Sequence, residues 1–170
     1  CEAENFDKII FIPAFNPPNK NLNNITPVKL RLEMLESAVL DNPRFEISQM
    51  EIQRGGISYS LDTISEFKYE YQLTKNNLYY LIGSDTLAQF DSWKEPKTIV
   101  NECSVLVAIR PGFNPSNIPN WVLPNIQFAN IPRFEISSSN IRQRWKENKT
   151  IRYMVTLSVW EIINKYNLYS

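Results

Sequence analysis

The chain has no histidine, so any mechanism that needs imidazole as base or metal ligand is excluded for these 170 residues. Cysteine is scarce: Cys1 and Cys103 lie far apart, and one is terminal. That pattern offers neither a disulfide framework nor a zinc-ligand spacing, and it predicts a reducing, cytoplasmic setting. Charge of one sign is not in excess, because Lys+Arg and Asp+Glu both number 18. Bulk electrostatic binding to nucleic acid or to a membrane surface calls for a basic surplus, so neither partner is expected. No apolar run approaches the roughly 18 residues of a membrane span, and no secretory leader is visible. What remains is ordinary globular material, 43% hydrophobic and 21% charged. The length predicts a single domain over residues 1–170 with a real core, and no internal repeat or boundary is visible.

The pattern of apolar runs predicts the architecture. Ile9-Ile10-Phe11-Ile12, stopped by Pro13, reads as a strand buried on both faces. Asn16-Pro17-Pro18-Asn19-Lys20 is a stiff loop at its C-terminal end. Thr26-Pro27 predicts a helix start, with Thr26 as cap and Pro27 at the first position. Val28, Leu32, Leu35 and Val39 are its expected core stripe. Phe45-Glu46-Ile47 and Met50-Glu51-Ile52 alternate in opposite phase, predicting a strand with a bulge or bend closed by Gly55-Gly56. Leu78–Ile82, Val105–Ile109 and Ile126–Ala129 are further strands. The Asn- and Pro-rich residues 113–125 read as a surface connection, and the last helix should turn Val159, Ile162, Ile163 and Tyr166 inward. Apolar strands alternating with helices predict an α/β chain with a doubly wound parallel sheet.

Polar residues gather at the strand-to-helix transitions. Besides the Asn16–Lys20 loop there is Ser58-Tyr59-Ser60-Leu61-Asp62-Thr63, where Ser60 is a plausible cap and Asp62 suits the first helical turn. Gly83-Ser84-Asp85 forms a corner in which Asp85 either accepts ribose hydroxyls or caps a helix. Nearby Trp93 is either a stacking platform or core. Ile136-Ser137-Ser138-Ser139-Asn140-Ile141-Arg142 resembles a helix start built for an anion: hydroxyls at the cap, free N–H groups beyond, and an arginine one turn in. Four such clusters predict one ligand site along the C-terminal edge of the sheet.

In the same order, these motifs resemble those of bacterial nicotinate-nucleotide adenylyltransferases. Ile12-Pro13-Ala14 with Asn16-Pro17-Pro18-Asn19-Lys20 is similar to the family's Pro-Ala-x-Asn-Pro-Pro-His-Lys. Ser58–Thr63 is similar to Ser-Tyr-Thr-x-Asp-Thr, and Ile136–Arg142 to Ile-Ser-Ser-Thr-x-Ile-Arg. Ile82-Gly83-Ser84-Asp85 with Trp93, Arg110-Pro111-Gly112 and Ile151-Arg152-Tyr153 complete the set. The resemblance implies a Rossmann-like, three-layer α/β/α nucleotidyltransferase. Its expected reaction joins the adenylyl group of ATP to nicotinic acid mononucleotide, giving deamido-NAD and pyrophosphate, with Mg²⁺ assisting. It further implies that Lys20, Ser138, Ser139 and Arg142 hold the ATP phosphates and that Gly83 and Asp85 sit against nucleotide sugar. Tyr59, Ser60 and Thr63 would line the mononucleotide side. Trp93 would stack on the pyridine ring, and N–H groups around Trp93-Lys94 would meet its carboxylate. No metal-ligating side chain is implied, and oligomeric state stays open.

Two departures from the family pattern stand out. Asn19 replaces the histidine before the lysine, which removes a charge from the loop. The family's opening strand, Gly-Gly-x-Phe-Asp-Pro-x-His-x-Gly-His and following helix are also absent, so no catalytic residue is identifiable. This predicts a fold without its central strand, with ladder groups and an apolar seam uncovered, and a chain that is inactive and poorly stable alone. The alternatives are a related adenylyltransferase acting on nicotinamide mononucleotide or phosphopantetheine, and a non-catalytic nucleotide-binding remnant.

Overall fold

The computed structural model describes residues 2–20, 25–132 and 135–169. Its strands are β1 (Ile9–Phe11), β2 (Phe45–Ile47), β3 (Tyr79–Gly83), β4 (Ser104–Ala108) and β5 (Ile126–Phe128). The helices are α1 (Val28–Val39), α2 (Met50–Arg54), α3 (Ser60–Tyr71), α4 (Ser84–Leu87), α5 (Pro96–Glu102), α6 (Ser138–Lys146) and α7 (Leu157–Lys165). Every strand pairing is parallel, as alternation with helices requires. The strands form two sheets, β1-β2 and β3-β4-β5. Contacts likewise divide the chain into two compact units, one built mainly of Phe6–Ile57 and Ile136–Ser170 and the other mainly of Ser58–Glu135.

In the first unit, β1 lies beside β2 with Phe11 opposite Ile47. Phe11 and Phe45 meet edge-on, ring centroids 5.3 Å apart. The expected burial of β1 on both faces is corrected: Ile9, Ile10 and Phe11 are only half-buried, since a two-stranded sheet gives each strand one neighbour. The expected cap is also corrected. Pro27 occupies the N-cap of α1, and Thr26 makes no capping bond. Val28, Leu32, Leu35 and Val39 are half-buried rather than core. They belong to a helix that packs on α7, where Ser158 Oγ donates to Ser37 O at 3.1 Å. On α7, Ile162 and Ile163 are buried, whereas Tyr166 points outward under Lys165 Nζ, 4.7 Å from its ring centroid.

Met50-Glu51-Ile52 is the clearest change of element: these residues open a helix, α2, and do not continue β2. Three alternating residues fit a helical turn as well as a strand, and Met50 and Glu51 are both buried by the turn. Gly55 ends it at φ 68°, donating its N–H to Glu51 O, a conformation that glycine adopts without strain.

The second unit holds the main core. β4 runs between β3 and β5 and buries Val105, Leu106 and Val107, as an unbroken apolar run should when both faces are covered. Around it pack Leu61, Ile64, Leu87, Phe90, Ile99 and Val100. Residues 113–125 are more than a surface connection, because Ile118 and Val122 enter this core from them. Burial also pushes the Cys103 thiol up to about 12, which makes it inert core material. Leu81 of β3, an outer strand of this sheet, is 50% exposed.

Candidate active site

Two groups of polar residues, one in each unit, are the candidates for the chemistry. In the first unit, α6 begins where the sequence places it. Ser137 is the N-cap, and its side chain accepts from Asn140 N at 3.1 Å. The cap therefore engages one hydroxyl of three, leaving those of Ser138 and Ser139 exposed in the first turn. The first-turn N–H groups of any helix lack intrahelical acceptors, so this end presents donors and a partial positive charge. Arg142 lies one turn further on and is half-buried, with its guanidinium carbon 5.8 Å from the Tyr169 ring centroid. It makes no ion pair among the described residues. Lys20 is exposed at the end of its loop, where its N–H donates to Pro17 O at 3.3 Å. Exposed hydroxyls, a helix end and an uncancelled guanidinium are what a polyphosphate needs.

In the second unit, β3 ends at Gly83, the N-cap residue of α4. A side chain at Gly83 would meet Asp85 at once: a Cβ built there lies 2.3 Å from Asp85 Oδ1. Glycine is what allows the carboxylate to fold back over the strand end. Asp85 is in the first turn of α4 rather than at its cap, which removes one of its two sequence readings. Its side chain is largely exposed and pairs with Arg110 Nη1 at 3.3 Å. The Arg110 N–H in turn donates to the buried Ser84 Oγ at 3.0 Å. Arg110 thus fastens the whole corner; its signal in the sequence was the Arg110-Pro111-Gly112 motif, read for resemblance but not for a role.

Beside this corner lies an aromatic and hydroxyl cluster. Tyr59, and not Ser60, is the N-cap residue of α3. Ser60 Oγ instead accepts from Tyr80 OH at 2.9 Å, and Tyr80 stands edge-on to Trp93 with centroids 6.2 Å apart. Trp93 also tilts against Phe90 at 5.1 Å, half-buried on the rim of the core. Thr63 differs from its expected exposure on the ligand side. It is 3% exposed, and its hydroxyl donates to Tyr59 O at 3.3 Å, so it shapes the turn from beneath.

Lys94 pairs with Asp62 Oδ1 at 2.8 Å and lies 4.8 Å from the Tyr59 ring centroid. The hydrogen bond to Asp62 holds its ammonium pKa above the usual lysine value. Of the two main-chain donors expected here, Trp93 N–H is engaged with Phe90 O at 3.1 Å, leaving Lys94 N–H. Glu95, next in the chain, adopts φ 49°, an uncommon conformation that aims this short segment. Among the described residues, no group of three or more Cys, Asp or Glu side chains is placed to hold a metal ion.

A parallel α/β chain with polar strand-to-helix turns is the arrangement of a nucleotidyltransferase. The family model described as Cytidylyltransferase-like matches residues 2–144. A probable nicotinate-nucleotide adenylyltransferase of Desulfitobacterium hafniense (strain Y51) is 39% identical over 171 residues, covering 96% of this chain and 81% of the relative. Its counterpart in Moorella thermoacetica is 37% identical, covering 95% and 77%. Among solved structures, Plasmodium falciparum nicotinic acid mononucleotide adenylyltransferase complexed with NaAD superposes with a TM-score of 0.75 at 21% identity. That superposition covers 96% of this chain and 82% of the other, and it confirms the Rossmann-like fold. The chain belongs to the nicotinate-nucleotide adenylyltransferase family of nucleotidyltransferases.

Proposed function

We propose that this protein transfers the adenylyl group of ATP to nicotinic acid mononucleotide, forming deamido-NAD and pyrophosphate for NAD synthesis in the cytoplasm. The observation that carries the reading is the α6 start, where exposed Ser138 and Ser139 precede a half-buried Arg142 with no carboxylate partner among the described residues. A phosphate oxygen of the mononucleotide attacks the α-phosphorus of ATP in line, and the bond to the β-phosphate oxygen breaks. No covalent enzyme intermediate is needed, so catalysis reduces to positioning and neutralisation of charge. Ser138, Ser139, Arg142 and Lys20 bind the phosphates. Asp85, held back by Gly83, accepts from a ribose hydroxyl. Trp93 offers its ring to the pyridine, Tyr59 and Ser60 flank it, and Lys94 N–H donates to the carboxylate. Thr63 acts through the Tyr59 carbonyl. Mg²⁺ would enter as MgATP, carried on the phosphates. No described helix is long and apolar enough to cross a membrane.

With no histidine in the chain, binding is the direct test and turnover the second. Calorimetry should detect ATP, and nicotinic acid mononucleotide should bind at least about tenfold more tightly than its amide, the worth of one charge-assisted hydrogen bond. Equal affinity for acid and amide would overturn the acid preference, and no binding of either nucleotide would overturn the whole reading. Binding of both substrates without release of pyrophosphate would identify a non-catalytic nucleotide-binding protein.

The Gly83 corner gives a separate check. Gly83→Ala forces the Asp85 carboxylate aside, at little cost in stability because it is the end of a movable side chain. Affinity for deamido-NAD should fall by about 3–10-fold, the worth of a lost hydrogen bond, and Asp85→Ala should lose as much. The double variant should be no worse than either single one, since both remove the same contact. Additive losses would show that Gly83 and Asp85 act separately.

A further inference from the structure

Four contacts within the first unit form one relay between Arg142 and the Phe15 and Thr26 carbonyls on either side of Lys20. Arg31, on α1, donates from Nε to Thr26 O at 3.0 Å and from Nη2 to Phe15 O at 3.4 Å. Phe15 immediately precedes the Asn16–Lys20 loop and Thr26 precedes α1, so one guanidinium clasps both ends of the segment that carries Lys20. Asn16 is further pinned by a parallel bridge to Ile57. Thr26 Oγ1, displaced from the capping role, donates to Tyr169 OH at 3.0 Å. The ring of that same tyrosine lies 5.8 Å from the Arg142 guanidinium carbon.

The chemistry of the relay suits an anion site. A guanidinium held by carbonyls or against an aromatic face is oriented without being neutralised, whereas a carboxylate partner would cancel the charge the ligand needs. Partial burial pulls the Arg31 pKa below its ordinary value, yet arginine stays charged at any physiological pH. Pro17 and Pro18 stiffen the chain between Asn16 and Lys20, so fixing Phe15 and Asn16 limits where Lys20 lies. Arg142 is long and rotamer-rich, and a ring beside it limits where it points.

We propose that Arg31 and Tyr169 are positioning residues for the phosphate group, with Thr26 joining them: Arg31 sets the Lys20 loop and Tyr169 sets Arg142. The proposal rests on the reading of Lys20 and Arg142 as phosphate ligands. Its test is calorimetric ATP affinity in Arg31→Met, Arg31→Lys, Tyr169→Phe and Tyr169→Leu, alongside thermal melts and amide exchange over residues 15–20. Tyr169→Leu and Arg31→Met should each weaken ATP binding by about 3–10-fold, the scale of one cation–π contact or one hydrogen bond. Tyr169→Phe keeps the ring and should lose less, about 2–3-fold. Arg31→Lys, able to hold one carbonyl, should recover part of the loss. The Arg31→Met/Tyr169→Phe double variant should fall short of the sum of its singles, because both cut the path through Thr26. Amide exchange over residues 15–20 should quicken in Arg31→Met with or without nucleotide, which tests the clasp independently of the ligand. Unchanged ATP affinity in folded variants, unchanged exchange, or strictly additive losses would overturn the relay. Quickened exchange in Arg31→Met together with no ATP binding by the wild-type protein would instead overturn the phosphate reading.

Discussion

Replacing Arg142 by alanine is expected to weaken ATP binding on the order of 10–100-fold, as loss of a forked, charge-assisted pair of hydrogen bonds does. The residue stands one turn into α6, half-buried, with its charge uncancelled among the described residues. The serine hydroxyls and first-turn N–H groups survive the substitution, so residual binding should remain. Arg142→Lys keeps the charge but not the planar fork, and should fall between wild type and alanine. Changing Ser138 and Ser139 together to alanine should cost less than Arg142→Ala, because the main-chain donors are untouched. The loss should shrink as salt rises, since screening weakens the wild-type interaction. Arg142 makes no ion pair within the described fold, so the melting temperature should change little. ATP affinity within about twofold of wild type would sink the assignment, being no more than an ordinary surface change.

Much of the local structure around the candidate site is legible in the sequence because local chemistry decides it. A run of three serines before Ile141 and Arg142 can hardly be anything but a capped helix start, and Ser137 is that cap. Leu78–Ile82 and Val105–Ile109 read as strands because their apolar runs are long enough to exclude a single helical turn. Met50-Glu51-Ile52 is too short for that distinction: its alternation fits a strand, yet it opens α2. The remaining gaps are non-local. Thr26 looked like a cap because nothing nearby in sequence shows that its hydroxyl bonds Tyr169, 143 residues away. Ser60 looked like a cap for the same reason, with Tyr80 as the hidden partner. Arg31 and Arg110 carried no signal of their roles, which come from carbonyls and a carboxylate that only the fold brings near. Tyr166 continues the apolar stripe of α7 by spacing, but it sits past the helix end and faces water.

Phe90→Ala should be the most damaging single change to stability in the second unit, costing about 3–5 kcal/mol, because it removes a large buried ring and leaves a cavity. Phe90 is 0% exposed and sits within the cluster of Leu87, Ile99 and Val107. Its ring also touches both nearby tryptophans, tilting against Trp93 at 5.1 Å and Trp121 at 6.3 Å. The same residue therefore joins the core to the candidate mononucleotide side: Phe90 supports Trp93, Trp93 meets Tyr80 edge-on, and Tyr80 holds Ser60. Phe90→Leu fills most of the volume and should recover most of the stability, while leaving Trp93 without its aromatic support. Urea unfolding should rank wild type above Phe90→Leu and both well above Phe90→Ala. Affinity for nicotinic acid mononucleotide, measured on the folded Phe90→Leu protein, should still drop by about 2–5-fold, the worth of one aromatic pair. Full stability in Phe90→Ala would contradict the core assignment. Full stability and full affinity in Phe90→Leu would show that Trp93 holds its position without the ring beneath it, and that the core sets this side of the site only through volume.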